Sequence, residues 1–130
     1  MNSNRREFLK LTGAGVALTA LSACSSISRK SSSGRVVVIG GGYAGATAAK
    51  YLRMWSQHSL EVVVIEPNAQ FISCPLSNLV LGGSRSIDDL TFSYDALKAH
   101  HGIQWVQDEV TAIDTAAHKV MMRRGELAYD

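Results

Sequence analysis

Three kinds of residue at telling intervals open the question of chemistry: glycines at 40, 42 and 45, an acid at 66 and a thiol at 74. The glycines fit Gly40-x-Gly42-x-x-Gly45, directly after the apolar run Val36-Val37-Val38-Ile39. Gly40 permits a tight exit from a strand, Gly42 lets backbone approach a pyrophosphate, and Gly45 lets the following helix lie close on the strand. A helix that starts here, with Tyr43 and Ala44 at its head, offers free N–H groups and about half a positive charge to phosphate oxygens. Glu66 ends the second apolar run, Glu61-Val62-Val63-Val64-Ile65, about 26 positions after Gly40. The usual spacing is about 20, and a longer intervening helix accounts for the excess. A carboxylate there can accept hydrogen bonds from a ribose hydroxyl. A glycine turn alone can bind nothing, but the acid is a separate requirement, and together they predict a dinucleotide site. Cys74 has a bland alternative, since a cysteine between apolar residues is often a small buried hydrophobe.

The elements that must position these groups follow from the pattern. Strands are predicted over residues 36–39 and 61–65, with a helix over 44–55 between them. Residues 67–70 read as a turn. Pro75 forces Cys74 out of the helical region, and the loop after the second strand lies on the ligand side of such a sheet. Residues 86–90 read as a polar turn with a short helical start. Ser93 is expected to cap a helix over 94–101 that Gly102 ends. A third parallel strand is expected over 103–107. Short alternating segments at 109–114, 118–123 and 126–129, with turns at 115–117 and 124–125, predict a small antiparallel meander. The fold class is α/β: a Rossmann-like dinucleotide-binding domain, parallel sheet plus meander, incomplete at its C-terminus. The chain reads as the N-terminal portion of a larger protein, or as a shortened product. Trp55 and Trp105 are expected in core or interface packing. His58, His100, His101 and His118 show no metal-ligand spacing, so no metal site is expected.

The 130 residues carry a formal net charge of +2, and the excess lies in Arg5, Arg6 and Lys10 near the N-terminus. No basic run with interleaved aromatics occurs, so nucleic acid is not an expected partner. No apolar stretch reaches about 18 residues, the length that spans a bilayer. Residues 1–24 read as an export signal: Arg5-Arg6 heads a short apolar run rich in small residues. The paired arginines resemble the twin-arginine export signal, and the folded part is then expected in the periplasm. Leu21-Ser22-Ala23-Cys24 resembles a bacterial lipobox, which would make Cys24 lipidated and give membrane contact; plain cleavage nearby is the competing reading. Residues 25–34 are Ser-rich and read as a flexible tether, leaving 35–130 as the folded domain. The chain has two cysteines, Cys24 and Cys74.

The run Val36 to Gly45, Glu66-Pro67-Asn68, the stretch from Phe71 through Cys74-Pro75-Leu76-Ser77-Asn78, and Leu81-Gly82-Gly83 together resemble the flavoprotein subunit of flavocytochrome c sulfide dehydrogenase. Tyr94-Asp95 and Leu127-Ala128-Tyr129-Asp130 fit it too. The wider group includes sulfide:quinone oxidoreductases and glutathione-reductase-like flavoproteins. The resemblance implies FAD, with Gly40, Gly42 and Gly45 at its pyrophosphate, Glu66 on the adenosine ribose and the backbone near Val110 against adenine. It implies that Cys74 joins the flavin 8-methyl carbon through a thioether. It implies oxidation of sulfide to sulfur at a cysteine pair further along, with electrons passed to a c-type cytochrome subunit. That pair is not among Cys24 and Cys74, so no catalytic residue is expected in this chain. Quinone as acceptor, NAD as ligand, or a non-catalytic binding module are the alternatives.

Overall fold

A computed structural model describes residues 33–130 of the chain. The parallel sheet comes first. Strand β1 (Arg35–Ile39) leads through helix α1 (Tyr43–Trp55) to β2 (Glu61–Ile65), and β5 (Gln104–Val106) pairs on the far side of β2, giving the order β1-β2-β5. Register is in step along the first pair, from Arg35 opposite Glu61 to Ile39 opposite Ile65. β2 is the central strand, and its residues from Val62 to Ile65 are all buried. A continuous β-branched run is what a strand covered on both faces requires. Val62 and Val64 share one face at period two. They pack with Ala49 and Leu52 of α1, Ile103, and Leu97 of α3 (Asp95–His101). Both crossover helices therefore lie on one side of the sheet.

Between β2 and α3 the chain makes a second, smaller structure. β3 (Gln70–Ile72) pairs antiparallel with β4 (Thr91–Ser93), flanking a five-residue helix α2 (Ser77–Leu81) and a single 3-10 turn at Asp88–Leu90. Gln70, expected in a turn, is thus in a strand, and the stretch expected to be loop contains α2. The third sheet is the predicted meander: β6 (Val110–Asp114), β7 (Lys119–Met122) and β8 (Gly125–Ala128), in that order. Gly125, expected in a turn, opens β8 with φ of +156°.

Other expectations need correcting. The helix expected from residue 94 with Ser93 as its cap starts at Asp95 with Tyr94 as N-cap and no side-chain cap bond; Ser93 Oγ accepts the Asp95 N–H at 3.0 Å in the turn that leads into it. Gly102 ends it as expected, with φ of +61°. Trp105 packs against the core, stacked on Tyr94 at 3.9 Å. Of the two roles expected for Trp55, the core is excluded: it is 79% exposed and touches the ring of Tyr51 at the end of α1. Ser33 and Gly34, read as tether, already bond to the fold: Ser33 N–H donates to Ser59 and Gly34 accepts from Glu61. The expected export signal, Cys24 and the rest of the tether lie outside the described residues. Among the described residues no helix is long and apolar enough to cross a membrane.

Candidate functional site

The turn out of β1 is built by close approach. Gly40 adopts φ of +93°, a conformation open to glycine, while its N–H donates to the Ile65 carbonyl at 2.8 Å. A Cβ at Gly45 would stand 1.9 Å from the Gly40 carbonyl oxygen and 3.3 Å from Val38 Cγ1, so only hydrogen fits between helix and strand. Gly42 is the N-cap of α1, with ordinary extended backbone, and a Cβ there would meet nothing within 4 Å. The space in front of it is open. No side chain caps α1 and no acid stands in its first turn. The first helical hydrogen bond runs from Ala46 N–H to the Gly42 carbonyl at 2.9 Å. The amides of Tyr43, Ala44 and Gly45 before it belong to the set that a helix cannot satisfy internally.

Glu66 meets this turn directly. Its Oε2 accepts the Gly41 N–H at 2.7 Å, and its Oε1 accepts both the backbone N–H (2.9 Å) and the side-chain N–H (2.7 Å) of Asn68. The residue is only 8% exposed. Burial pushes its carboxyl up, but these three donors more than reverse that and hold it below the ordinary carboxylate range. A carboxylate has about four acceptor positions, so the three bonds leave one on Oε2 for a ligand hydroxyl. Glu66 is both a brace for the glycine turn and a remaining acceptor.

Gly41 occupies a position the fingerprint leaves free, yet it too has no room for a side chain. A Cβ there would lie 2.8 Å from the Trp105 ring and 2.9 Å from the Tyr94 hydroxyl oxygen. Tyr94 is buried, and burial, then the charge of Glu66, raises its phenol above the ordinary value. The only hint in the sequence was the run of three consecutive glycines. Its cause lies in residues more than fifty positions away, just before α3 and on β5.

Beside the turn a cleft of about 400 Å³ opens, whose wall includes Gly42, Tyr43, Thr47, Phe71, Ser73 and Tyr94. Cys74 is the next residue after that wall; it is a free and exposed cysteine, so the buried-hydrophobe alternative does not apply. Its carbonyl accepts the Ser77 N–H at 3.1 Å, closing a turn around Pro75 and Leu76. Val110 opens β6 with intermediate burial. The segment before it runs beside Glu66: Glu66 N–H donates to the Val106 carbonyl at 3.0 Å, and Gln107 Nε2 to the Pro67 carbonyl at 3.2 Å. The structure therefore joins the glycine turn to Glu66, links it through Tyr43 and Ser73 to the neighbourhood of Cys74, and leaves Val110 four residues from the Glu66 contact.

A strand, a glycine turn, an uncapped helix and an acid at the next strand's end define a dinucleotide-binding α/β domain. Residues 34–130 match the family described as pyridine nucleotide-disulphide oxidoreductase, and the chain belongs to that family. It is 52% identical over 46 residues to the sulfide dehydrogenase (flavocytochrome c) flavoprotein chain of Chlorobaculum thiosulfatiphilum, covering 35% of this chain and 94% of that sequence. It is 28% identical over 97 residues to a type II NADH:quinone oxidoreductase of Staphylococcus aureus, covering 74% of this chain and 24% of the relative. The sulfide:quinone oxidoreductase of Aquifex aeolicus superposes with a TM-score of 0.68 at 28% identity, over 74% of this chain and 22% of that one. The chain thus spans about a quarter of the length of these two longer proteins.

Proposed function

We propose that the chain is the FAD-binding portion of an exported sulfide dehydrogenase, which oxidises sulfide to sulfur and passes electrons to a c-type cytochrome. The observation that carries the reading is the 52% identity to a sulfide dehydrogenase flavoprotein chain. The residues present fit FAD. The open space before Gly42 and the uncapped start of α1 accommodate a diphosphate. Gly40 and Gly45 set the turn, the amides of Tyr43, Ala44 and Gly45 donate to phosphate oxygens, and the free acceptor position of Glu66 takes a ribose hydroxyl. The backbone near Val110 borders the adenine, and Cys74 carries the flavin through a thioether. The bound flavin supplies two-electron oxidation coupled to one-electron transfer onward. On this reading the twin arginines direct export to the periplasm and residues 25–32 tether the domain, whether Cys24 is lipidated or removed.

The mature, cofactor-loaded protein that carries this chain tests the proposal. It should reduce a c-type cytochrome when given sulfide, and acid precipitation should leave yellow colour in the pellet. Sulfide-dependent reduction of a quinone, with the cytochrome untouched, would replace this reading with the sulfide:quinone oxidoreductase type, which the superposition at a TM-score of 0.68 favours. A purified protein without flavin would reduce it to a binding module.

A further inference from the structure

Two hydroxyl groups reach across to the residue that precedes the thiol. Ser73 is buried, at 7% exposure, while Cys74 is exposed. Ser73 Oγ lies 2.5 Å from the Tyr43 phenol oxygen and 3.4 Å from the Pro75 carbonyl oxygen. A serine hydroxyl has one proton to give, and a carbonyl only accepts. Ser73 therefore donates to Pro75, and Tyr43 donates to Ser73. The donor chain runs from the first residue of α1, through Ser73, past Cys74, to the far side of the thiol. Around it, Ser73 N–H donates to the Leu90 carbonyl at 2.8 Å, and the Tyr43 ring meets Phe71 edge-on at 4.8 Å. The turn from Cys74 to Ser77 has Pro75 at its second position and Leu76 at its third, with φ of +72° and ψ of 4°. That is a type II turn, whose third position favours glycine. The backbone bearing the thiol is thus pinned on both sides.

We infer that Tyr43 and Ser73 are positioning residues for the bond between Cys74 and the flavin: their linked hydroxyls fix the thiol-bearing turn relative to the diphosphate turn. The inference rests on the reading of Cys74 as the attachment point. In the attachment, a bond forms between Cys74 Sγ and the 8-methyl carbon. The S–H bond and one methyl C–H bond break, and the two protons and two electrons go to the ring system, which dioxygen reoxidises. Placement is what the protein contributes, and a displacement of about 1 Å costs about a hundredfold in rate.

The test reconstitutes apoprotein with FAD in air and follows acid-stable flavin with time, as a rate per bound FAD so that weaker binding does not enter. Ser73→Ala should slow attachment about tenfold or more, while Ser73→Thr, which keeps the hydroxyl, should stay near wild type. Tyr43→Phe should also slow it. The double variant Tyr43→Phe/Ser73→Ala should be no slower than Ser73→Ala alone, because one donor chain is being cut twice. A wild-type rate in Ser73→Ala, or equal slowing in Ser73→Thr, overturns the inference while leaving Cys74 as attachment point. Wild-type protein with FAD bound but no acid-stable flavin overturns the reading of Cys74 itself.

Discussion

The two ends of the three-stranded sheet solve opposite problems with the same residue type. At the end where β1 and β2 begin, Glu61 meets a cation: Arg35 Nε and Nη2 lie 2.8 and 3.2 Å from its oxygens, and Gln104 Nε2 adds a bond at 2.7 Å. Arg35 N–H donates in turn to Asp130 Oδ2 at 2.6 Å, and Asp130 N–H returns to the Arg35 carbonyl. At the other end Glu66 meets no cation among the described residues, only neutral N–H donors. Both carboxyls are held below their ordinary range, Glu61 chiefly by its hydrogen bond from Arg35, Glu66 by donors that outweigh its burial. On the proposed reading, the difference explains where a ligand goes. Charge at the first end is already matched by opposite charge. At the second, the acid has a free acceptor position, and the positive helix terminus nearby has no anion of its own.

The sharpest way to break this comparison is to close the second end sterically. Gly45→Ala should cost about 3 kcal/mol in urea unfolding and abolish cofactor retention, because its Cβ meets backbone and not a side chain that can turn aside. Glu66→Gln should cost about 2 kcal/mol, since an amide presents N–H to one of the donors it replaces a partner for. Acid unfolding checks the sign. Glu66 has a depressed folded value, so its contribution is in place above the unfolded value of about pH 4.3 and is lost as pH falls through the folded one. Glu66→Gln should therefore flatten the unfolding curve in that acid window. Gly42→Ala separates binding from folding: with nothing within 4 Å of the new methyl, stability should move by less than about 0.5 kcal/mol. FAD affinity, read by fluorescence titration, should fall by about tenfold or more. The smallest effect belongs to the first end. Glu61→Gln should cost only about 0.5 kcal/mol, because the pair is partly exposed, and about 0.5 M salt should erase the difference. Salt should leave the Glu66→Gln deficit in place.

How much of this was legible beforehand follows from the range of the interactions involved. Gly40, Gly42, Gly45 and the parallel strands around them were readable because each requirement is met within a few residues or by a run of valines. The meander was readable from alternation and its turns. Gly41 was not, because what crowds it comes from Tyr94 and Trp105, brought there by the crossover through α3. β3 and β4 escaped notice because three residues are too few for a period to declare itself. Trp55 could not be placed between core and interface on residue type alone, and only the fold shows that it lies outside the core. Glu66 was singled out in the sequence for a ligand hydroxyl, and its bond to Gly41 emerged only with the fold.

The helix that follows the glycine turn begins without any internal answer to its first donors. On the proposed reading the diphosphate is its missing cap, so the cofactor is also a component of folding by mass action. A ligand at a hundred times its dissociation constant adds about 2.7 kcal/mol to the native state, a large part of what a domain of this size has. The quantity of folded protein in a cell would then follow its flavin supply, and a shortage would be felt first as lost protein, ahead of lost turnover.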